Sequence, residues 1–224
     1  ETEDGTNMLY LAPVDEEGAR IELIPGGMIP GGNVTSFKIT PNSKGVVYRA
    51  DMLVDERCDL FSVSINGGVY NRLTVGMIPE GDVGNYKITP NNLGVVFIAD
   101  GMEDEDWELF AAVIDGSYVT RLNTNLPAHA GVYWFDISNN SQGVVYLADQ
   151  DVRGVKELYA VPSVGGSPVT LNPSLVSGGD VQGNFRITPD NKGVVYKADQ
   201  ERDNVIELFL TYDFDMVFLP LINR

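Results

Sequence analysis

One phrase of thirteen residues occurs four times along the chain at almost constant spacing. It begins as ITPNSKGVVYRAD at Ile39 and returns at Ile88, Ile137 and Ile187, so successive copies lie 49, 49 and 50 residues apart. Such a repeat indicates an array of one small folding unit. A period near 50 residues is typical of propeller blades and also fits long helical repeats, so the content of the unit must decide.

Each unit contains four short runs that are rich in β-branched and aromatic residues. In the second unit these runs span 83–89, 94–100, 107–114 and 118–123, designated strands a, b, c and d. Turn residues separate them, for example the Pro-Asn-Ser-Lys-Gly segment 41–45 and Asn66-Gly67-Gly68. No stretch shows a helical period. The pattern therefore predicts an all-β chain of consecutive antiparallel strands.

A four-stranded meander cannot cover both of its own faces, but units arranged radially bury them against each other. We therefore predict one β-propeller domain that spans residues 1–224. Its predicted parts are an N-terminal half-blade at 1–33 and four complete blades at 34–82, 83–131, 132–180 and 181–224.

The predicted half-blade matches only the two outer strands, c and d, of the repeat. An outer hairpin without inner strands exposes unpaired backbone groups, which favour association with another strand. We therefore expect remaining propeller strands, or strands of another chain, to complete this half-blade.

Two longer phrases resemble a known repeat. ITPDNKGVVYKAD, which starts at Ile187, and ELYAVPSVGGSPVTLN, which starts at Glu157, are similar to the WD40-like (PD40) β-propeller repeat of the TolB type. The resemblance covers essentially the whole chain. The phrases ADQD at 148–151 and GGDV at 178–181 also resemble repeats of large bacterial envelope and secreted proteins. The resemblance implies a propeller in an extracellular, cell-surface or periplasmic protein, and it constrains fold more than function.

Charge and composition exclude several classes of partner. The chain carries 15 basic and 32 acidic residues, a net charge of −17, which opposes binding to nucleic acid and to anionic lipid. Its apolar runs are too short to span a membrane. The single cysteine, Cys58, excludes an internal disulfide and is expected to be a semi-buried or surface thiol.

Residues that recur in every unit are expected to serve the fold, whereas a functional site requires residues that differ between units. Two sets recur, and we expect them to hydrogen-bond with nearby turns. The acidic set is Asp51, Asp100, Asp149 and Asp199. The hydroxyl set is Thr40, Thr89, Ser138 and Thr188.

The third unit departs from its neighbours in strand a, which reads Tyr133-Trp134-Phe135-Asp136. If strand a lines the central channel, its alternation places four charged residues at one level. They are Lys38, Lys87, Asp136 and Arg186. This mostly basic ring could bind an anion or a carboxylate-bearing segment, or it could form ion pairs between blades. Trp134 is grouped with this predicted binding site.

His129, the only histidine, lies in a loop where sister units carry Gly-Gly-Asn or Gly-Gly-Asp. It is included among the candidate binding residues, although an ordinary exposed loop residue is the favoured interpretation. No zinc-ligand spacing and no nucleophile elbow accompany it.

The links between strands b and c are acidic, and the link in the second unit is the most acidic. Clustered carboxylates are suitable ligands for calcium, although no link matches the EF-hand pattern and solvated hairpin tips explain most of the charge. The best candidate ligands are Asp100, Glu103, Asp104 and Asp106. No other cofactor is expected.

The leading function predicted from these features is a non-catalytic propeller module of a bacterial envelope or secreted protein, which acts as a scaffold and binds protein or glycan. One alternative is TolB-like periplasmic docking of a partner segment in the channel. Another is an accessory propeller of a peptidase or glycosidase whose catalytic part lies elsewhere. The chain offers no set of nucleophile, base and orienting residue, so catalysis by these residues is not expected.

Overall fold

The computed structural model describes residues 6–12, 20–24, 26, 28–102 and 105–212, and this part of the chain consists of strands and connecting turns. No helix capable of spanning a membrane occurs within those ranges. The strands are β1 Tyr10–Leu11, β2 Ile21–Glu22, β3 Val34–Ile39, β4 Gly45–Val54, β5 Arg57–Ser64, β6 Asn71–Arg72, β7 Val83–Ile88, β8 Gly94–Ala99, β9 Glu108–Val113, β10 Val119–Arg121, β11 Val132–Ile137, β12 Gly143–Ala148, β13 Glu157–Pro162, β14 Val169–Thr170, β15 Arg186–Ile187, β16 Gly193–Ala198 and β17 Glu207–Tyr212.

Consecutive strands pair antiparallel and form one sheet in each repeat. Strands β3–β6, β7–β10 and β11–β14 form three four-stranded sheets, and β15–β17 form a three-stranded sheet. The predicted fourth strand of this last blade falls beyond residue 212, outside the described residues. Strands β1 and β2 pair as a separate two-stranded sheet. The prediction of an all-β chain built from antiparallel blades is confirmed.

An aromatic pair at the centre of each complete repeat joins strand b to strand c. The rings of Tyr146 and Tyr159 lie directly opposite each other and stack with centroids 5.3 Å apart. The other three repeats contain the same stacked pair at distances of 5.4–5.7 Å. Cross-strand aromatic pairs stabilise a sheet and fix its register.

The apolar core is divided among the joints between consecutive blades. Four separate buried clusters occur, one at the joint of β1–β2 with blade 1 and one at each joint of blades 1 with 2, 2 with 3 and 3 with 4. In blades 2, 3 and 4, an aromatic residue in or next to strand a enters the joint with the preceding blade; these residues are Tyr86, Phe135 and Phe185. Each blade therefore depends on its neighbours for burial.

The recurrent hydroxyl residues cap the turn between strands a and b, as the sequence predicts. The Thr40 hydroxyl accepts the backbone N–H of Gly45 and donates to the side-chain oxygen of Asn42. Ser138 makes the same pair of bonds in the third blade.

The recurrent aspartates join the end of strand b to the segment before strand a of the same blade. The Asp149 carboxylate accepts the N–H of Gly131 at 2.7 Å and that of Gly154 at 2.7 Å. Asp51, Asp100 and Asp199 accept the corresponding N–H groups of their own blades. The predicted structural role of this set is confirmed.

A ladder of hydrogen bonds links each turn between strands a and b to the same turn of the next blade. The backbone N–H of Asn42 donates to the Asn92 side chain at 2.7 Å, and that of Asn91 donates to Ser141 Oγ at 3.0 Å. The N–H of Asn139 donates to Asn191 at 2.7 Å. These turns therefore lie at one end of the propeller.

The first and last blades each present an open apolar face. Phe37, at the repeat position of the fully buried Phe135, is 56% exposed. On blade 4, Leu208 is 70% exposed, whereas its repeat equivalent Leu158 is fully buried at the joint with the next blade. These two faces have the composition of a joint and no blade against them within the described ranges.

Candidate functional site

The first strands of successive blades converge at the inner edge of the array. Lys87 Nζ lies 2.8 Å from Asp136 Oδ1 on the next blade, and the ammonium of Lys38 donates to the backbone carbonyl of Tyr86. The structure therefore places these three residues of the predicted ring together on neighbouring strands.

Most of the ring residues contact their neighbours in the array. The ammonium of Lys87 lies 5.2 Å from the centre of the Trp134 ring as well as against Asp136. Burial lowers the pKa of Lys38, and the nearby charge of Lys87 lowers it further. Arg186 donates to the carbonyl of Phe185 in its own strand segment. The contact between Lys87 and Asp136 matches the alternative of ion pairs between blades.

Trp134 belongs to the joint between blades 3 and 4. Its ring packs against the buried cluster that includes Leu147, Leu158 and Phe185. Its indole Nε1 is buried and has no hydrogen-bond partner among the described residues. Trp134 therefore contributes mainly to packing, with one edge against Lys87.

His129 lies elsewhere, in a cleft between blades 2 and 3. This cleft has a volume of about 380 Å³, within the range of roughly 300–1,000 Å³ that is typical of small-molecule sites. Its walls combine exposed aromatic rings with polar side chains. The lining residues include Gly84, Asn85, Glu105, Trp107, His129 and Tyr133.

The backbone of this cleft differs from the other joints. At the joints of blades 1 with 2 and 3 with 4, a carboxylate of the following blade accepts a backbone N–H from the start of strand c, as Asp82 does from Cys58 and Asp180 from Lys156. Gly131 occupies that position at the joint of blades 2 with 3. The absent side chain leaves the space beside Trp107 open.

Trp107 fits because the strand opposite it carries glycine. A Cβ atom added to Gly84 would lie 2.9 Å from Trp107 Cζ3, closer than real Cβ contacts allow. The other blades carry Thr35, Tyr133 and Gln182 at the position of Gly84. Trp107 therefore packs against a glycine, Gly84, and this combination occurs at no other described joint.

His129 holds the loop that forms one wall of the cleft. It adopts a left-handed backbone with φ of 61°, which is uncommon for a residue with a side chain. Its backbone N–H donates to the Asp106 carboxylate at 3.1 Å. The imidazole is exposed at the rim, so the structure places it away from the charged ring with which the sequence grouped it.

Tyr133 also lines this cleft. The ammonium of Lys156 lies 5.0 Å from the centre of its ring. Burial raises the pKa of the Tyr133 hydroxyl, and the nearby carboxylate of Asp149 raises it further. The hydroxyl therefore stays protonated at neutral pH and can donate hydrogen bonds.

A second cleft, of about 400 Å³, lies between blades 2 and 3 beside the turns that join strands a and b. Its walls are mostly apolar and include Val95, Ala111 and Val113. A cleft with equivalent lining residues, including Val46 and Val63, lies between blades 1 and 2. It is therefore a general feature of the joints, unlike the cleft at Trp107.

Two of the four candidate calcium ligands lie among the described residues, and both accept backbone hydrogen bonds. Asp100 accepts the N–H of Asp82, and Asp106 accepts that of His129. Glu103 and Asp104 lie outside the described residues. Within those residues, no group of three or more His, Cys, Asp or Glu side chains is arranged to hold a metal ion. Calcium binding stays a prediction.

Sequence analysis singled out His129 and the unusual strand that contains Tyr133, but it missed Trp107 and Gly84. A comparison of equivalent positions could have found them. Cys58, Trp107, Lys156 and Ile206 stand at one repeat position, and only one of them is a large aromatic residue. Cys58 itself is partly buried, and burial raises the pKa of its thiol, in agreement with the predicted semi-buried thiol.

Comparison with known proteins identifies the fold. No family model matches the chain, and no curated protein sequence matches it. The putative TolB from Agrobacterium tumefaciens superimposes on 92% of this chain and 70% of its own, with 13% identity and a TM-score of 0.53. The tricorn protease superimposes on 85% of this chain and 17% of its own, with 13% identity and a TM-score of 0.57.

A puromycin-hydrolyzing peptidase from Mycobacterium tuberculosis superimposes on 89% of this chain and 32% of its own, with 13% identity and a TM-score of 0.56. The chain thus spans about a third or less of these two peptidases. The described sheets and these similarities define a β-propeller. Its fold is of the TolB-like kind, as the repeat phrases indicated.

Proposed function

We propose that this chain is a non-catalytic propeller module of a bacterial cell-envelope or secreted protein, and that it binds a protein or glycan partner. The observation that supports this proposal is the cleft at Trp107. Residues that differ from their repeat equivalents converge there, namely Gly84, Trp107, His129 and Tyr133, and two of them are exposed aromatic residues. Exposed aromatic residues with polar tips are typical of binding surfaces.

The residues that recur in each repeat stabilise the scaffold. The residues that differ between repeats line the cleft, so the cleft can serve a specific binding function. The recurrent aspartate and hydroxyl side chains are engaged with turn amides, and the aromatic residues of strand a are engaged at the joints. A rigid sheet array with a loop-lined cleft matches the usual division between scaffold and binding site. The location of the full protein outside the cytoplasm is part of the same proposal.

Binding to immobilised partners tests the proposed function. The intact chain and a Trp107→Ala variant are applied to surfaces that carry neutral and acidic polysaccharides and a library of extended peptides. We expect retention on at least one class and its loss in the variant. A Tyr118→Ala variant is the matched control, because Tyr118 is also an exposed aromatic residue, at 57%, but lines the second cleft between blades 2 and 3. Loss of binding in Tyr118→Ala alone would assign binding to that second cleft and would contradict the assignment to the cleft at Trp107. Equal binding of the three proteins would contradict the proposal.

A second candidate function is docking of a carboxylate-bearing segment in the channel. Its support is the position of two cations at the inner edge, Lys87 and Lys38, the second of which donates to the carbonyl of Tyr86 next to Lys87. Burial lowers the pKa of Lys38, and repulsion from the charge of Lys87 lowers it further. An anionic group between them would relieve this repulsion. Charge reversal of Lys38 to Glu should then abolish binding of acidic peptides while retention at the Trp107 cleft persists.

The open faces support the proposal that additional propeller strands cover them. The face at Phe37 lies next to the two-stranded sheet β1–β2, where further inner strands would continue the joint. The measured mass in solution tests whether a second chain supplies these strands. A strict monomer that melts cooperatively would contradict completion by another chain.

A further inference from the structure

We propose that the cleft at Trp107, between blades 2 and 3, binds an uncharged sugar residue of a glycan, with Trp107 as the stacking platform and Tyr133 as a second aromatic residue of the lining. The inference rests on the proposed binding function and names its ligand class.

The two aromatic rings present apolar surface at the mouth of the cleft. Trp107 is 37% exposed and Tyr133 is 48% exposed, although both belong to blades whose other aromatic residues are mostly buried. Exposed indole and phenol rings carry a free energy cost in water that contact with an apolar ligand surface removes. The C–H face of a pyranose ring is flat and apolar, so it can stack on such a ring.

The position of Trp107 is determined by its surroundings. Gly84 leaves room for the indole, and the backbone carbonyl of Trp107 accepts the N–H of Val132 at 2.7 Å across the joint. Gly131 packs beside the Trp107 backbone, with its Cβ position 3.5 Å from the Trp107 carbonyl oxygen. A platform held in place before binding loses little conformational entropy when the ligand arrives.

The surrounding charges disfavour an ionic ligand. Lys156 already lies over the Tyr133 ring at 5.0 Å, so a cationic ligand on that ring would meet a like charge. Glu105 lines the cleft, and the chain has a net charge of −17, both of which oppose an anionic ligand. An uncharged polar ligand avoids both penalties.

The rim supplies hydrogen-bonding groups of both kinds. The side chain of Asn85 can donate and accept, the carboxylate of Glu105 accepts, and the imidazole of His129 has one ring nitrogen that can donate and one that can accept. Sugar hydroxyls are donors and acceptors in the same way. Such a mixed rim around an aromatic platform favours a hydroxyl-rich ligand over a purely apolar one.

Tryptophan fluorescence provides a direct test because the chain has only two tryptophans. A Trp134→Phe variant leaves Trp107 as the single reporter. This variant is titrated with neutral oligosaccharides of glucose and of N-acetylglucosamine, with an acidic oligosaccharide of uronic acids, with tetramethylammonium and with short extended peptides. We expect a saturable change in Trp107 emission with at least one neutral oligosaccharide.

Variants of the cleft then locate the binding site by calorimetry. Trp107→Ala should weaken neutral-sugar binding by about thirtyfold, as expected for an aromatic anchor. Tyr118→Ala should leave the affinity unchanged. Circular dichroism confirms that each variant is folded, and the conservative Trp107→Phe variant should retain part of the affinity if stacking is the basis of binding.

The possible outcomes separate this inference from the proposed function. Saturable binding of tetramethylammonium or uronic acids without binding of neutral sugars would overturn the assignment of an uncharged ligand. Binding of peptides alone at Trp107 would also overturn it, while the proposed binding function would stand. No binding of any probe would contradict both proposals.

Discussion

Phe135 and Phe37 occupy the same position of the repeat, yet the first is fully buried and the second is 56% exposed. The difference lies in the preceding blade. Phe135 enters the cluster shared with Val96 and Leu109 of blade 2, whereas Phe37 is not part of the cluster between blade 1 and the short sheet β1–β2. Burial in this fold is therefore a property of the joint between two blades and not of the single repeat.

The largest expected effect comes from truncating these two aromatic residues. Phe135→Ala should lower the free energy of unfolding by about 3–5 kcal/mol, because it leaves a cavity in a closed joint. Phe37→Ala should change it by less than about 0.5 kcal/mol, as for an exposed residue. Urea unfolding followed by circular dichroism measures both. Equal losses would show that Phe37 is covered in solution and would contradict the difference in burial between the two positions.

The next effect concerns the recurrent aspartates. Asp149→Ala should lower the free energy of unfolding by about 1–3 kcal/mol, because it leaves two backbone N–H groups without their acceptor. The exposed Glu201 lies on the corresponding link of blade 4, and Glu201→Ala is the matched control, with little change expected. A neutral result for Asp149→Ala would contradict its structural role.

Protonation of Asp199 at acidic pH should lower the free energy of unfolding by weakening its hydrogen bonds in the last blade. Hydrogen bonds from the backbone N–H groups of Asp180 and Asn204 hold the pKa of Asp199 below its ordinary value. Because the folded pKa is the lower one, the stabilisation is present above the unfolded value of about 3.9 and is lost as the pH falls through the folded value.

Unfolding free energies of the native chain and of Asp199→Asn, measured from neutral to acidic pH, test this expectation. The difference between the two proteins should be largest near neutrality and should shrink in acid. A constant difference across the range would indicate that ionisation of Asp199 makes no contribution.

The smallest expected effect comes from the ion pair at the inner edge. Lys87 and Asp136 are each about one-third exposed, at 29% and 31% of their side chains, so solvent screens their attraction. A double-mutant cycle with Lys87→Met and Asp136→Asn should give a coupling of about 0.2–1 kcal/mol that decreases with added salt. A larger coupling, or one insensitive to salt, would mean that the channel excludes water at this level.

The features predicted from the sequence are those that depend on a single repeat. Strand boundaries, the Thr40 turn and the Asp149 bonds each depend on a short stretch of sequence. Each also appears several times along the chain, so the copies of the repeat support one another in the prediction. The strand alternation also placed Lys87 and Asp136 at one level. The binding cleft is different, because Trp107 and Gly84 belong to different strands and their contact depends on how strands pack within and between blades. The sequence pattern of one repeat taken alone does not indicate such a contact.

The repeat phrase also does not predict the exposed faces at Phe37 and Leu208, because the phrase is nearly the same in blades with an exposed face and in blades with a covered face. Their burial depends on which strands lie against them. The sequence also does not predict the partner of each lysine in the ring, since Lys87 pairs with a carboxylate and Lys38 with a backbone carbonyl. That choice depends on side-chain geometry at each joint.

The ladder of turn hydrogen bonds that runs from Asn42 to Asn191 has a consequence for how such genes can change. These hydrogen bonds join each turn to the turns of adjacent blades, and each joint buries residues of two adjacent blades, so these interactions are between nearest neighbours. Duplication or loss of a repeat of about 50 residues outside blades 2 and 3 would therefore preserve the interfaces of the remaining blades. Blade number can drift in evolution while the Trp107 cleft, confined to one joint, is inherited intact.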